Sequence, residues 1–526
     1  MSNVLAWGHG RTVGWGRRNA SAGLVLITLA AVASVVPAGH GGAERGPPAR
    51  PNIVLVVTDD LDAASMARLP TLRRELADRG TTFTRFFATD SLCCPSRASI
   101  LRGQYVHNHR VRSNAGPHGG YRAFARLQGS TVATWLDDAG YRTGLVGKYL
   151  NGYPAKGAPA FVPTGWDDWH AGAGMAPYQG FGYHLVENGR RVFYGYQNRD
   201  YGVDVLARKS VRFIRASQGR GRPFFLYVAP YVPHLPSTPP PRYRHALAGA
   251  HAPRTVAFDR GVSHPPDWQR DLAPLSAGQE SMIDWIYRQR LAAMLAVQDL
   301  VHRLVTVLRH TGRLRNTYLV FTSDNGFHLG QHRLGAGKRT AFEEDIRVPL
   351  LVRGPGVPAG RTVEALTSTI DLAPTLAQLA GTHPPEFVDG RSLVPLLHDR
   401  DHARWRRGVL VEHFDRPQIV DLDPYRALMS PQELLRVVPP VFRALRTPRY
   451  SYVEYSTGAR ELYDLRRDPH QLHNVAGTAS PALLRGLSGI LHRLATCEAG
   501  SCRTVDREHR FKGVTDLGGR PGERRG

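Results

Sequence analysis

The segment Ser91-Leu92-Cys93-Cys94-Pro95-Ser96-Arg97-Ala98-Ser99-Ile100-Leu101-Arg102-Gly103 gathers two thiols, three hydroxyls and two guanidiniums into one short run. Pro95 suits the first turn of a helix, where its missing N–H is not needed, and Ser96 to Leu101 can continue that helix. Cys93 then stands just ahead of a helix N-terminus, where free N–H groups and the macrodipole favour anions. Arg97, one turn inside, is placed to hold or orient a nearby oxygen. A buried Cys pair capping a helix is the plainer use of two adjacent thiols, but it gives no role to Pro95, Arg97 and Gly103 in register.

A second kind of chemistry appears at the ends of apolar runs. Asn52 to Thr58 reads as a strand buried on both faces and ends in Asp59-Asp60. Adjacent carboxylates repel one another, and a hard divalent cation keeps both ionised. Thr317 to Ser323 likewise leads into Asp324-Asn325-Gly326, Thr143 to Gly147 into Lys148, and Phe224 to Pro230 through Tyr231-Val232-Pro233 into His234. Asp59, Asp60, Asp324 and Asn325 offer only oxygen, which suits Ca²⁺ or Mg²⁺ better than zinc. The carboxyl ends of strands are where open α/β sheets build sites.

These ends must be positioned by a sheet. Between Ser281 and His310 apolar residues recur at helical spacing, with Gly312 as a stop. Strand, helix, strand in this order predicts an α/β fold with right-handed crossovers and a largely parallel central sheet flanked by helices. Pro154 to Gln197, rich in Gly, Trp and Tyr, is expected to be a long surface insertion whose aromatics either stack on a sugar or, for most of them, pack the loop. Val348 to Arg353 is another short strand, Leu366 to Ala380 a helical stretch, and Asp389 to Ser392 a turn at a domain boundary. Beyond it, Ala444 to Arg446, Tyr450 to Tyr455 and Glu461 to Leu465 predict an antiparallel sheet, and Ser480 to Thr496 a helix, in a smaller C-terminal unit.

Residues 1–38 read as an export signal: Arg11, Arg17 and Arg18 precede the apolar run Ala22 to Val36, and Val36-Pro37-Ala38 offers a cleavage site. The run is short for a membrane span, so no stable span is expected after cleavage; an uncleaved anchor is the rival. Residues 39–50 form a Gly/Pro-rich linker, and the Gly- and Arg-rich residues 511–526 are expected to be disordered. The net charge of +24 concentrates anions. The Arg residues are dispersed and no nucleic-acid module is present, so no nucleic-acid partner is expected. Of four Cys, Cys497 and Cys502 can close a small loop as a disulfide in an oxidising compartment.

The Cys93 to Gly103 segment resembles the signature of the sulfatases: Cys, any residue, Pro-Ser-Arg, three residues, an aliphatic residue, usually Thr, and Gly. Arg102 stands where Thr is usual. Gly147 to Tyr153, Ser323 to Gly326, Gly335-Ala336-Gly337-Lys338, Arg353 to Gly356 and Glu461 to Leu465 extend the likeness over about Pro51 to Ala476. The resemblance implies an alkaline-phosphatase-like fold, with a catalytic domain over 51–390 and a smaller domain over 391–510. It implies that a formylglycine-generating enzyme oxidises Cys93, and that Asp59, Asp60, Asp324 and Asn325 hold one Ca²⁺ together with the modified Cys93. It further implies that Arg97 stabilises the aldehyde hydrate, Lys148 and Lys338 neutralise sulfate oxygens, and His234 protonates the leaving alcohol.

Many arylsulfatases carry Lys-any-His where this chain has Lys148-Tyr149-Leu150, so the His credited with assisting sulfate release is absent. Asp324 and Asn151 are the candidates for that task. Lys148-Tyr149-Leu150-Asn151, Cys93-Cys94 and Tyr105-Val106-His107-Asn108-His109 resemble the branch acting on 6-O-sulfated N-acetylglucosamine, with His107, His109 and Asn151 as candidate substrate contacts. The expectation is an exported sulfatase, secreted or held in a cell-wall or periplasm-like space, acting on a sulfated small molecule or glycan. The rivals are a phosphate or phosphonate monoester hydrolase of the same fold and a non-catalytic binder of anionic glycans.

Overall fold

The computed structural model describes residues 50–155, 157–399, 405–414 and 439–507. The expected export signal, the linker up to residue 49 and the expected C-terminal tail lie outside them.

Ten strands form the central sheet, in the order Arg361–Val363, Thr81–Phe83, Leu350–Arg353, Thr317–Ser323, Asn52–Thr58, Phe224–Ala229, Arg142–Gly147, Asp168–Gly172, Tyr183–Glu187 and Arg190–Tyr194. The five in the middle, from Thr317–Ser323 to Asp168–Gly172, are mutually parallel, and antiparallel pairs flank them on both sides. Asn52–Thr58 lies at the centre and is buried at every position. Its side chains divide by parity, as the pleat requires. Ile53, Leu55 and Val57 pack with the helices Cys93–Arg102, Val132–Asp138 and Leu372–Leu379 on one face. Val54 and Val56 pack with Gly202–Ala216 and Ala277–His310 on the other.

Register places the site. Thr58 pairs with Ser323, so Asp59 and Asp324 leave the sheet side by side. Gly147 pairs with Ala229, which aligns Lys148 with the turn leading to His234. A side chain at Gly147 is excluded: its φ is +120° and a Cβ would stand 2.1 Å from the Ala229 carbonyl oxygen. That close approach lets the Lys148 N–H donate to the same oxygen at 2.7 Å.

The helix predicted from Ser281 begins earlier, at Ala277, because Ser276 and Gln279 form a capping box. Among the described residues it alone is long and apolar enough to cross a membrane, and most of it is buried in this fold. Residues 154–197 are not a surface insertion. They supply three strands of the central sheet, and Trp166 and Trp169 sink with Tyr153 into the core beneath them. Frequent Gly and Pro hide these strands, which are only five residues long each. The helix expected over Leu366 to Ala380 is shorter, Leu372–Leu379, because Thr367–Ser368 pairs with Phe86–Phe87 instead.

The C-terminal part carries a four-stranded antiparallel sheet, Val409–His413, Phe442–Arg446, Tyr450–Tyr455 and Arg460–Asp464. Its first strand was not among those expected. Ser480 caps the helix Pro481–Leu494 by accepting from the Leu483 N–H at 3.2 Å. Cys497 and Cys502 form a disulfide.

At the turn expected as a boundary, the chain changes topology but not packing. Asp389 accepts from the N–H groups of Tyr105 and Ala499, both at 2.7 Å, and so ties the two parts into one compact unit. Fully buried Arg406 adds a second tie, donating to both Asp371 oxygens at 2.6 and 2.7 Å and to Asp506 at 2.9 Å. Removing one partner of a buried ion pair leaves charge uncompensated, so Arg406→Ala is expected to cost about 3–5 kcal/mol. A denaturant midpoint unchanged from wild type would show that this network contributes nothing.

Candidate active site

Cys93 is the first residue of the helix Cys93–Arg102, one position further in than its expected place ahead of the N-terminus. Leu92 caps the helix with extended backbone, and the Cys94 N–H donates to Asn114 Oδ1 at 2.9 Å. Gly103 ends it with φ +68°, where a Cβ would meet Val388 at 2.8 Å. Arg102, in place of the usual Thr, donates to Gln104 and to the carbonyls of Leu127 and Ser130, and lies over the Phe387 ring. It braces the helix end and takes no part in the cluster.

The side chains expected to do chemistry converge. Donor atoms of Asp59, Asp60, Cys93 and His234 all lie within 4.8 Å of one another. Lys148 Nζ is 2.6 Å from Asp59, and Lys338 Nζ is 2.6 Å from Asp60 and 2.9 Å from Cys93 Sγ. Arg97 Nε donates to Asp324 at 2.7 Å, and Asn325 Nδ2 to Asp60 at 2.8 Å. His234 Nδ1 faces the Leu235 carbonyl at 2.7 Å, which leaves Nε2 toward Asp60 Oδ2 at 3.8 Å.

Three carboxylates thus meet three permanent cations, Arg97, Lys148 and Lys338, in a buried space. Burial alone would push Asp59 up; Lys148, His234, Arg97 and Lys338 outweigh it and hold the carboxyl far below the usual range. Asp60 is lowered in the same way, chiefly by Lys338 acting against burial. Asp324 goes the other way, raised by burial and by Asp59 despite Arg97 and Lys148. Burial also drives the Cys93 thiol well up, more than the two lysines can offset. An unmodified thiol here is therefore protonated and a poor nucleophile.

Within this cluster two buried polar atoms have no partner: Asn325 Oδ1, an acceptor, and the second terminal nitrogen of Arg97, a donor. A buried acceptor left open beside Asp60 suits a cation, and a buried guanidinium donor left open suits an oxygen anion. A divalent metal fits beside the open Asn325 acceptor and the Asp59–Asp60 pair, near Cys93 and His234.

His107 and His109 are placed elsewhere. His107 lies 2.7 Å from Glu412 and 2.8 Å from the Cys497 carbonyl, linking the segment after the helix Cys93–Arg102 to the C-terminal part. His109 accepts from the Val111 N–H at 3.0 Å and meets Ser99 at 3.1 Å; burial, with Arg102 and His107, lowers it to about 3. Both imidazoles are occupied by scaffold partners and stand outside the cluster. Asn151 contacts Cys94: its Oδ1 lies 3.3 Å from Sγ, and its N–H donates to Sγ at 3.1 Å.

The sequence left other contributors unnamed. Tyr178 sets its ring 4.5 Å from that of His234 and 5.1 Å from Lys148 Nζ. Arg290, buried on the long helix, donates to the carbonyls of Asp60 at 2.6 Å and Pro233 at 3.0 Å and so fixes two site loops. Its only signal was a charged residue on the apolar face of a helix.

Similarity to known proteins agrees with this geometry. The sulfatase family model matches residues 51–382, and a model described as N-sulphoglucosamine sulphohydrolase, C-terminal, matches residues 330–485. The N-acetylglucosamine-6-sulfatase of Capra hircus is 35% identical over 491 residues, covering 89% of this chain and 87% of that one. The human N-acetylglucosamine-6-sulfatase is 35% identical over 480 residues, covering 86% of each. In fold, the chain is similar to a protein solved in complex with its substrate D-glucosamine-2-N,6-O-disulfate, with TM-score 0.69 and 23% identity over 88% of this chain and 99% of that one. It is also similar to a phosphonate monoester hydrolase from Silicibacter pomeroyi, with TM-score 0.65 and 24% identity over 88% and 96% of the two chains. With a family model spanning more than half its length and relatives matched nearly end to end, the chain belongs to the sulfatase family and is a sulfuric ester hydrolase.

Proposed function

We propose that the chain hydrolyses 6-O-sulfate esters of N-acetylglucosamine-type sugars, using a formylglycine made from Cys93 and one Ca²⁺ held by Asp59, Asp60, Asp324 and Asn325. The observation that carries this is the buried Cys93 at the head of its helix, 2.9 Å from Lys338 and 3.5 Å from Asp59, inside a cluster with an open acceptor on Asn325. An aldehyde at this position supplies, as its hydrate, the oxygen nucleophile that a protonated thiol lacks, and the calcium ion supplies positive charge for the ester oxygens.

The chain's own residues do the rest. Arg97 has one terminal nitrogen open to hold an oxygen of the hydrate, while its Nε holds Asp324. Lys148 and Lys338 balance the charge of the sulfate. His234, fixed by the Leu235 carbonyl, presents Nε2 to protonate the leaving alcohol. Asp324, held by Arg97 Nε at 2.7 Å, is the carboxylate we assign to assist as sulfate departs. Asn151, held on Cys94, positions that thiol and the loop after Lys148.

The amino-sugar substrate is supported by the two N-acetylglucosamine-6-sulfatases, each 35% identical. Action outside the cytoplasm is supported by the Cys497–Cys502 disulfide and by the extracellular sulfatase homologue of Drosophila melanogaster, 35% identical over 381 residues. A formylglycine-generating enzyme is the partner this reading requires.

The phosphonate monoester hydrolase of similar fold makes phosphate and phosphonate esters the rival substrates. Aryl sulfate turnover is expected to exceed aryl phosphate and phenylphosphonate turnover by about 100-fold in kcat/KM, a difference of about 2.7 kcal/mol in transition-state binding. Equal or reversed preference, measured on one preparation with known aldehyde content, would overturn the sulfate reading.

A further inference from the structure

We infer that a groove walled by Trp285 and Tyr196 binds the sugar units next to the sulfated one, so that this enzyme prefers an oligosaccharide to a single sulfated sugar. The inference rests on the sulfated-glycan reading above and adds to it the length of the substrate.

Among the described residues the exposed large hydrophobic side chains are Phe193, Tyr196 at 79%, Val256 and Trp285 at 43%. Tyr196 and Trp285 come from segments about ninety positions apart, yet they line one groove of about 530 Å³ with Phe181, Asn198, Arg244 and Gln289. That volume falls within the roughly 300–1,000 Å³ of ligand pockets. Exposed aromatic faces present an apolar body with a polar edge, the combination that stacks on the C–H face of a sugar ring. Asn198, Arg244 and Gln289 supply hydrogen-bonding groups around these faces, and Arg244 adds a cation for a sulfate or carboxylate on the glycan.

The aromatics are held in place. Gly182 has φ +64° and lies directly under Tyr196, where a Cβ would stand 2.4 Å from the Tyr196 hydroxyl. The Phe181 ring packs 5.3 Å from Tyr201, whose hydroxyl donates to the Thr238 carbonyl at 3.0 Å. Trp285 and Gln289 stand four apart on the long helix and share a face.

The same elements build the candidate active site. Arg290, next to Gln289, donates to the Asp60 and Pro233 carbonyls. Thr238 follows His234 by four residues, a span of at most about 14 Å. Tyr178, against His234, precedes Phe181 by three. Groove and site therefore share one helix and two loops, and Thr238 on the groove lies within about 14 Å of His234.

The test compares kcat/KM on a 6-O-sulfated monosaccharide and on a tetrasaccharide with the same terminal sulfated sugar, in wild type, Trp285→Ala, Trp285→Phe and the Trp285→Ala/Tyr196→Ala double variant. Thermal melting verifies folding of each. The wild-type ratio of tetrasaccharide to monosaccharide is expected to be at least tenfold, carried by KM, to survive in Trp285→Phe and to fall toward one in the double variant. A wild-type ratio near one, or a ratio kept in the double variant, overturns the inference and leaves the sulfated-sugar reading intact. Cleavage of aryl sulfate with no cleavage of either sugar overturns both.

Discussion

Cys93→Ala is expected to lower sulfatase turnover by about 10⁴-fold or more, the scale on which removal of a single covalent nucleophile acts, with little change in melting temperature. The side chain is small and fully buried, so its loss disturbs packing little, whereas its Cβ is the carbon whose oxidation to an aldehyde the proposed mechanism requires. The stronger form concerns the wild type. Because burial holds the thiol protonated, activity is expected to rise in proportion to the fraction of chains with an aldehyde at Cys93. Mass spectrometry of the tryptic peptide Phe86 to Arg97, across preparations made with and without a formylglycine-generating enzyme, measures that fraction. An intercept at zero aldehyde supports the assignment; full activity in thiol-only protein sinks it, and an aldehyde at Cys94 instead moves the nucleophile.

Metal removal carries the second large effect. Dialysis against a calcium chelator is expected to lower kcat by at least about 100-fold and Ca²⁺ to restore it, since Asp59 and Asp60 need compensating charge when an anionic ester enters. A readout independent of activity comes from linkage: at a hundred times its dissociation constant, a ligand of the native state stabilises it by about 2.7 kcal/mol. Ca²⁺ should raise the melting temperature of wild type and leave Asp60→Asn unmoved. In the absence of Ca²⁺ Asp60→Asn should also melt lower, because Lys338 loses its 2.6 Å partner. Retained activity in chelator, with no shift on adding Ca²⁺, would leave Arg97, Lys148 and Lys338 as the cluster's counter-charges.

Much of the site was legible because it is written locally. A Cys93 segment with Pro95, Arg97 and Gly103 in register needs only one helix to make sense. Asp59, Asp60, Asp324, Asn325, Lys148 and His234 each follow an apolar run, and a buried strand with polar residues at its carboxyl end reads the same in any parallel sheet. The short strands of residues 168–194 were hidden because five residues each, one buried on both faces and one largely exposed, show no alternation, and Gly and Pro are frequent around them. The C-terminal sheet was visible in three strands of four for the opposite reason: alternating aromatics separated by turn residues.

The sequence by itself determined the chemistry on offer: a helix-head thiol, oxygen ligands, lysines and an imidazole at strand ends, in an order particular to sulfatases. Only the tertiary structure decided which of those groups meet. It withdrew His107 and His109, whose neighbourhood in sequence suggested substrate contact, into the scaffold; His107 finds Glu412 across 305 positions. It brought in Arg290, which reaches the Asp60 carbonyl across 230 positions, and set Tyr178 against His234. The reason is physical: strand ends and helix caps are set by bonds among near neighbours, whereas a polar side chain takes its role from whichever partner burial brings to it, and that partner is far away along the chain.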